Sequence, residues 1–173
     1  AANTCGHYDA FRQKMDSHKE IALQMPLIND KLNKANEIYC EDGNALIKRM
    51  KGDILYIDPP YNSRQYCDTY HVLDNISLWA KPPVVGVAKK YDRTAFKSQY
   101  CGRGAINAFK DLILNAKVKH ILFSYNNMGS KGVSRSNAVM SDYEIKKVLR
   151  LRGSVKVLDR EHNPFSTGKS CID

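Results

Sequence analysis

No two of the five cysteines, Cys5, Cys40, Cys67, Cys101 and Cys171, stand in a CxxC pair. That spacing and the odd number exclude a cysteine-framed zinc site and point away from a disulfide framework. A reducing, cytoplasmic setting is the simplest expectation. Long apolar runs are also lacking: none approaches the ~18 residues that a membrane span needs, so no membrane association is expected. The N-terminus, Ala1-Ala2-Asn3-Thr4, is polar, shows no signal-peptide pattern and has no initiator Met. That start is read as the beginning of a piece of a longer protein. Internal repeats and low-complexity tracts are absent.

What is present is a basic surplus. Lys+Arg is 27 against 18 Asp+Glu, a formal charge of +9. Such a balance favours a polyanionic partner, and nucleic acid is the first candidate. A basic protein without such a partner remains an equal reading on charge alone. The 173 residues fit one domain with a real core.

Apolar patterning divides that domain into a helix and connector over 1–36, an α/β core over 37–158 and a polar tail over 159–173. Within the first part, Tyr8 to Met15 reads as a short helix. The spacing then predicts a strand at Glu37–Cys40 and a helix over Asn44–Met50. Asp53–Ile57 is a continuous apolar run, expected of a strand buried on both faces of a parallel sheet. Tyr70–Trp79 follows as a helix with Val72, Leu73, Ile76 and Trp79 on one side, and Trp79 is expected in the core. Ala105–Ala116 is another helix. Lys119–Tyr125 is the second strong strand, and Asn126 to Met140 reads as a loop. Ser141 and Glu144 form a capping-box pattern ahead of a helix ending near Arg150. Ser154–Leu158 is read as a last strand. Strands alternating with helices of this length imply an α/β fold with a mostly parallel sheet.

In open α/β sheets ligands bind at the carboxyl ends of strands. Asp42, Asp58 and Asn126 each fall at such an end. Asp58-Pro59-Pro60-Tyr61 carries the clearest chemistry. An adenine N6 amine is a poor nucleophile because its lone pair is delocalised into the ring. Acceptors for its N–H groups localise that pair, and the Asp58 carboxylate with the Pro59 carbonyl can supply them. The paired prolines restrict the backbone that aims the carbonyl. Tyr61 offers a ring face for a base taken out of the duplex. The competing reading is a tight turn after a strand with a helix-capping Asp. The strand context and the charge favour the first.

The blocks Asp53-Ile54-Leu55-Tyr56-Ile57-Asp58-Pro59-Pro60-Tyr61-Asn62-Ser63-Arg64-Gln65-Tyr66, Ile121-Leu122-Phe123-Ser124-Tyr125-Asn126-Asn127, Glu41-Asp42-Gly43-Asn44-Ala45-Leu46 and Ala2-Asn3-Thr4-Cys5-Gly6-His7-Tyr8 together resemble the site-specific adenine-N6 DNA methyltransferases of restriction–modification systems. Within that family they are most similar to the D12 class carrying the DPPY motif, the group of the FokI-type methylases. The resemblance covers most of the chain. It implies a Rossmann-like methyltransferase sheet and S-adenosylmethionine as methyl donor. Asp42, Gly43, Asn44 and Asp58 would then bind the donor. Asp58, Pro59, Pro60 and Tyr61 would be the catalytic set, and Tyr61, Asn62, Arg64, Gln65, Tyr66 and Asn126 would meet the substrate. Double-stranded DNA is the implied partner, together with a cognate restriction endonuclease. No metal is implied. A catalytically inactive DNA-binding fragment and an RNA adenine methyltransferase are the alternatives.

One block of the family is missing. Its F-x-G-x-G donor motif after the first strand does not occur, and Gly102-Arg103-Gly104 lies in a basic loop instead. The block order places that motif before Ala1. The sheet is therefore expected to be incomplete, lacking the N-terminal donor-motif strands, and to need an N-terminal half, a partner chain or a rearranged packing. The chain also stops near where a last strand is expected. The loop Lys81–Arg103 interleaves Lys89, Lys90, Arg93, Lys97 and Arg103 with Tyr91, Phe96 and Tyr100. It reads equally as a nucleic-acid face or an ordinary basic surface. His71 is expected to orient a helix start.

Overall fold

The computed structural model describes residues 22, 24–26, 31, 35–86, 90–126 and 138–160. The expected helix at Tyr8–Met15, the block Ala2–Tyr8, Lys89, Asn127 and the end of the tail lie outside these residues.

Helix α1 spans Gly43–Ile47, strand β1 Lys51–Ile57, helix α2 Tyr66–Thr69 and helix α3 His71–Ser77. Two 3-10 turns follow, Thr94–Phe96 and Gln99–Cys101, then helix α4 Ala105–Asn115, strand β2 Lys117–Phe123 and helix α5 Asp142–Leu149. This is a mixed α/β chain. Its two strands pair in parallel, from Lys51 opposite Lys117 to Ile57 opposite Phe123. Parallel neighbours require a crossover rather than a hairpin, and the segment from Asp58 to Ala116 provides it.

The core lies on the side of the sheet where α4 packs. Phe109, Ile113 and Met140 are fully buried, joined by Ile47, Ile57, Leu112, Ile145 and Val148. The spacing 105, 108, 109, 112, 113 makes one buried stripe along α4, which packs against α1 and α5. Each such side chain contributes roughly 1.5–3 kcal/mol by leaving water. At the head of α5 both halves of the capping box form: the Glu144 backbone N–H donates to Ser141 Oγ, and the Ser141 N–H donates to Glu144 Oε2 at 3.0 Å.

Four expectations are corrected. First, β1 is not buried on both faces. Leu55 and Ile57 turn toward the helices, whereas Ile54 and Tyr56 are each 62% exposed. The reason is that α4 and α5 lie on one side of this two-stranded sheet, and no described element covers the other. Second, residues 37–40 form no strand, and Ile38 is 96% exposed. A strand exists through its ladder, and the described sheet contains β1 and β2 alone. Third, Ser154–Leu158 likewise forms no strand.

The fourth correction concerns α3, which turns the opposite stripe inward. His71 and Asn75, one helical turn apart, are buried, while Leu73, Ile76 and Trp79 are exposed. His71 opens the helix and meets the Tyr91 ring edge-on at 5.9 Å. Trp79 is therefore not core. It closes α3 in the left-handed conformation, φ 50°. There its N–H donates to the Ile76 carbonyl and that of Ala80 donates to Asn75, a Schellman cap normally given to glycine.

Candidate functional site

The strand β1 hands its last pairing to the loop beyond β2: the Ser124 N–H donates to the Ile57 carbonyl at 2.9 Å. Asp58 and the Tyr125 segment therefore leave the sheet side by side. Asp58 is exposed at the carboxyl end of its strand, and Pro59 and Pro60 behind it are half-buried. With no N–H groups and a fixed φ, the two prolines hold a backbone that cannot recoil into the sheet.

Tyr61 is pinned through its carbonyl, which accepts from the Val139 N–H at 3.0 Å and the Tyr125 hydroxyl at 3.2 Å. That hydroxyl in turn accepts from the Met140 N–H at 3.0 Å. Burial pushes the Tyr125 hydroxyl above its ordinary value, so it stays protonated and can donate. A column of rings carries this arrangement down to the core. The Tyr61 ring stands edge-on to Tyr125, Tyr125 stacks on Phe123 at 5.5 Å, and Phe123 leans on Phe109 at 4.5 Å. The half-buried Tyr61 ring is thus fixed by the hydrophobic core itself.

Asp42 precedes α1 as its N-cap. Its Oδ1 accepts from the Ala45 N–H at 2.9 Å, and its carbonyl accepts from Leu46 at 3.0 Å. Asn44, one residue into the helix, is fully engaged. Its Nδ2 donates to the Ala108 carbonyl at 2.7 Å and to Asp111 Oδ2 at 2.9 Å, and its Oδ1 accepts from the Tyr100 hydroxyl at 2.9 Å. The Asn44 bond holds the Asp111 carboxyl below the usual carboxylate range, with Lys48 adding to it. Burial raises the Tyr100 hydroxyl well above its ordinary value, and the Asp42 and Asp111 charges push the same way.

Between α1 and β1 lies a cavity of about 540 Å³. It brings Gly43 together with Asp58, Pro59, Pro60 and Tyr100 over an apolar floor that includes Tyr56 and Leu112. The cavity thus runs from Gly43, the first residue of α1, to the Asp-Pro-Pro turn; Asp42, Asn44 and Tyr61 flank it without lining it. The remaining expected site residues lie outside its lining. Asn62 Oδ1 accepts from the Arg64 N–H at 2.9 Å, a local turn that leaves the Arg64 side chain exposed. Tyr66 is exposed beside the ring of Tyr70; burial first, and then the Asp58 charge, raise its hydroxyl. Asn126 is half-buried three residues past β2.

The Gln65 side-chain amide pairs with the backbone of Ser98, accepting from its N–H at 2.8 Å and donating to its carbonyl at 3.1 Å. Arg93, one of the cations of the basic loop, turns inward. It forms an ion pair with Asp68 at 2.7 Å and lies over the Tyr91 ring. Lys90, Lys97 and Arg103 are exposed. Among the described residues, no group of three or more His, Cys, Asp or Glu could hold a metal ion, and no helix is long and apolar enough to cross a membrane. The sequence did not single out Tyr100 as a site residue. It sits 56 residues from the Asn44 that it bonds, and no local pattern announces that contact.

The parallel α/β frame thus carries Asp-Pro-Pro-Tyr at a strand's carboxyl end, beside an apolar cavity. Residues 1–128 match the D12 class N6 adenine-specific DNA methyltransferase family, and the chain belongs to that family. It is 36% identical over 154 residues, 87% of its length, to Modification methylase StsI of Streptococcus sanguinis. It is 36% identical over 98% of its length to Type II methyltransferase M.FokI of Planomicrobium okeanokoites, and 33% identical over 98% to Type II methyltransferase M.NlaIII of Neisseria lactamica. The matches span 23%, 25% and 48% of those three proteins respectively. No solved structure matches the chain.

Proposed function

We propose that this chain carries the target-base site, and part of the methyl-donor site, of a DNA adenine-N6 methyltransferase serving a restriction–modification system. The observation that carries this reading is the single cavity joining Gly43 to Asp58 and Pro59. Its volume lies in the range that small-ligand sites occupy, roughly 300–1,000 Å³. An apolar floor with one carboxylate and a backbone carbonyl at the rim fits a nucleoside-bearing methyl donor.

S-adenosylmethionine, the donor this class generally uses, would supply an electrophilic methyl group on a sulfonium sulfur. The residues of the chain do the rest. Asp42 and Gly43 face the donor's adenosine end. Asp58 accepts one N6–H bond of the target adenine and the Pro59 carbonyl accepts the other, which localises the nitrogen lone pair. Tyr61, fixed by the ring column, stacks on the base after it leaves the duplex. Once N6 has gained the methyl group it must lose one proton, which Asp58 or water accepts. Asn62, Arg64, Gln65, Tyr66 and Asn126 would line the approach of the DNA, and exposed Arg64 would contact phosphate. The sheet would be part of a Rossmann-like methyltransferase sheet.

The test is methyl transfer to duplex DNA by the natural-length protein, read as N6-methyladenine, with structured RNA as a competing acceptor. Asp58→Ala should lower kcat by at least about 10²-fold, because it removes an acceptor aimed at the reacting amine, and should leave the fold unchanged. Undiminished activity in that variant, or transfer to RNA alone, would sink this reading.

A further inference from the structure

The short segment Ser98–Cys101 touches both halves of the site. At one end the Tyr100 hydroxyl donates to Asn44 Oδ1 at 2.9 Å, beside the Asp42 turn, and the Tyr100 side chain lines the cavity with Gly43 and Asp58. At the other end the Gln65 amide makes its two bonds to Ser98, and the Cys101 thiol donates to the Arg64 carbonyl at 3.3 Å. Between the ends, Ser98 Oγ caps the 3-10 turn by accepting from the Tyr100 N–H at 3.2 Å. Residues 64 and 65 follow the Asp58–Tyr61 turn after Asn62 and Ser63. Asn44 is locked to α4 through Ala108 and Asp111, so it gives the segment a fixed anchor.

A side-chain amide bonded to both backbone groups of one residue cannot slide along the chain. A half-buried tyrosine hydroxyl held by an amide oxygen cannot turn away without breaking that bond. The two sides are therefore rigidly joined through the four residues Ser98–Cys101. We propose that Ser98–Cys101 is a strut that couples methyl-donor binding to target-adenine binding, with Tyr100 and Gln65 as its positioning residues. This rests on the reading of Asp42–Asn44 as the donor side and Asp58–Tyr66 as the base side. The strut lets occupation of either side order the other, and such coupling is reciprocal between the two ligands.

The experiment is calorimetric titration of the natural-length protein with S-adenosylmethionine, alone and with a duplex that the wild type methylates, alongside steady-state kinetics. The wild type should bind the donor more tightly with DNA present. Tyr100→Phe removes the hydroxyl alone. It should raise the donor KM about 5- to 20-fold with kcat changed less than about 3-fold, and reduce the DNA-induced tightening to near unity. Gln65→Glu keeps the acceptor for the Ser98 N–H but sets an oxygen against the Ser98 carbonyl. It should raise the DNA KM and abolish the same tightening, and it carries the test should Tyr100→Phe not fold. Coupling retained in the variants that fold overturns the strut, as does a wild type whose donor affinity ignores DNA. A wild type that methylates no adenine overturns the functional reading instead.

Discussion

The two faces of the β1–β2 sheet differ sharply. On one, Leu55, Ile57, Ile121 and Phe123 pack against α4 and α5 around Phe109 and Ile113. On the other, Ile54, Tyr56 and Leu122 alternate with them and are exposed. Composition does not separate the faces, since both are apolar. The packed face fixes the site: the ring column runs from Phe109 through Phe123 and Tyr125 to Tyr61. The cavity takes residues of both faces: Ile54 and Tyr56 of the open one, and Leu55 and Ile57 of the packed one with Leu112 of α4, line it with Asp58 and Pro59. Stability is thus drawn from one face of the strand, and ligand space from residues of both.

The largest effect that sharpens this contrast is expected at Phe109. Phe109→Ala should cost about 3–5 kcal/mol in chemical denaturation. It should also loosen Tyr61, seen as altered tyrosine fluorescence. Tyr56→Ala, on the open face of the same sheet, should cost about 0.5 kcal/mol or less. Equal losses at the two positions would erase the distinction.

Tyr100 lines the same cavity, and its response depends on pH. Its hydroxyl is raised in the folded chain, so the folded state holds this proton more tightly than the unfolded state. The stabilisation is complete below the ordinary tyrosine value of about 10 and is lost as pH climbs above it. Thermal melts should fall on alkaline titration from about pH 10 upward, with tyrosine ionisation followed by absorbance. Tyr100→Phe should blunt that fall. An identical alkaline profile in the variant would count against a buried, hydrogen-bonded hydroxyl.

The smallest effect is at Trp79, exposed at the end of α3. Trp79→Gly frees a left-handed position from its Cβ and should be neutral or stabilising by up to about 1 kcal/mol. A loss of more than about 1 kcal/mol there would mean that the indole is packed after all.

Local order was the legible part of this fold. The stripe of α4, the strands at β1 and β2 and the Ser141–Glu144 capping box all follow from spacings within a dozen residues. Partnership was not legible. A continuous apolar run such as Asp53–Ile57 states that a strand is hydrophobic, but not how many faces are covered. The stripe Val72, Leu73, Ile76, Trp79 suggested a buried side for α3. Instead His71 and Asn75 are buried, and the His71 ring packs on Tyr91, a contact 20 residues away that no local spacing announces. Glu37–Cys40 and Ser154–Leu158 have strand-like residues without a described neighbour to pair with. In the site, Asp58 to Tyr61 announced itself through one tetrapeptide. Gln65 with Ser98 and Asn44 with Tyr100 join residues 33 and 56 apart, which only the folded chain brings together.

The central claim is that the cavity between the Asp42 turn and the Asp58 turn holds the methyl donor. The direct measurement is calorimetric titration of the natural-length protein with S-adenosylmethionine, comparing wild type with Asp42→Asn. Asparagine caps a helix as well as aspartate does, so α1 is retained and only the charge is lost. Wild-type binding weakened about tenfold in the variant, as replacing a charge-assisted hydrogen bond by a neutral one predicts, is the expected result. Equal affinity in both proteins, or no binding by a folded wild type, would contradict it.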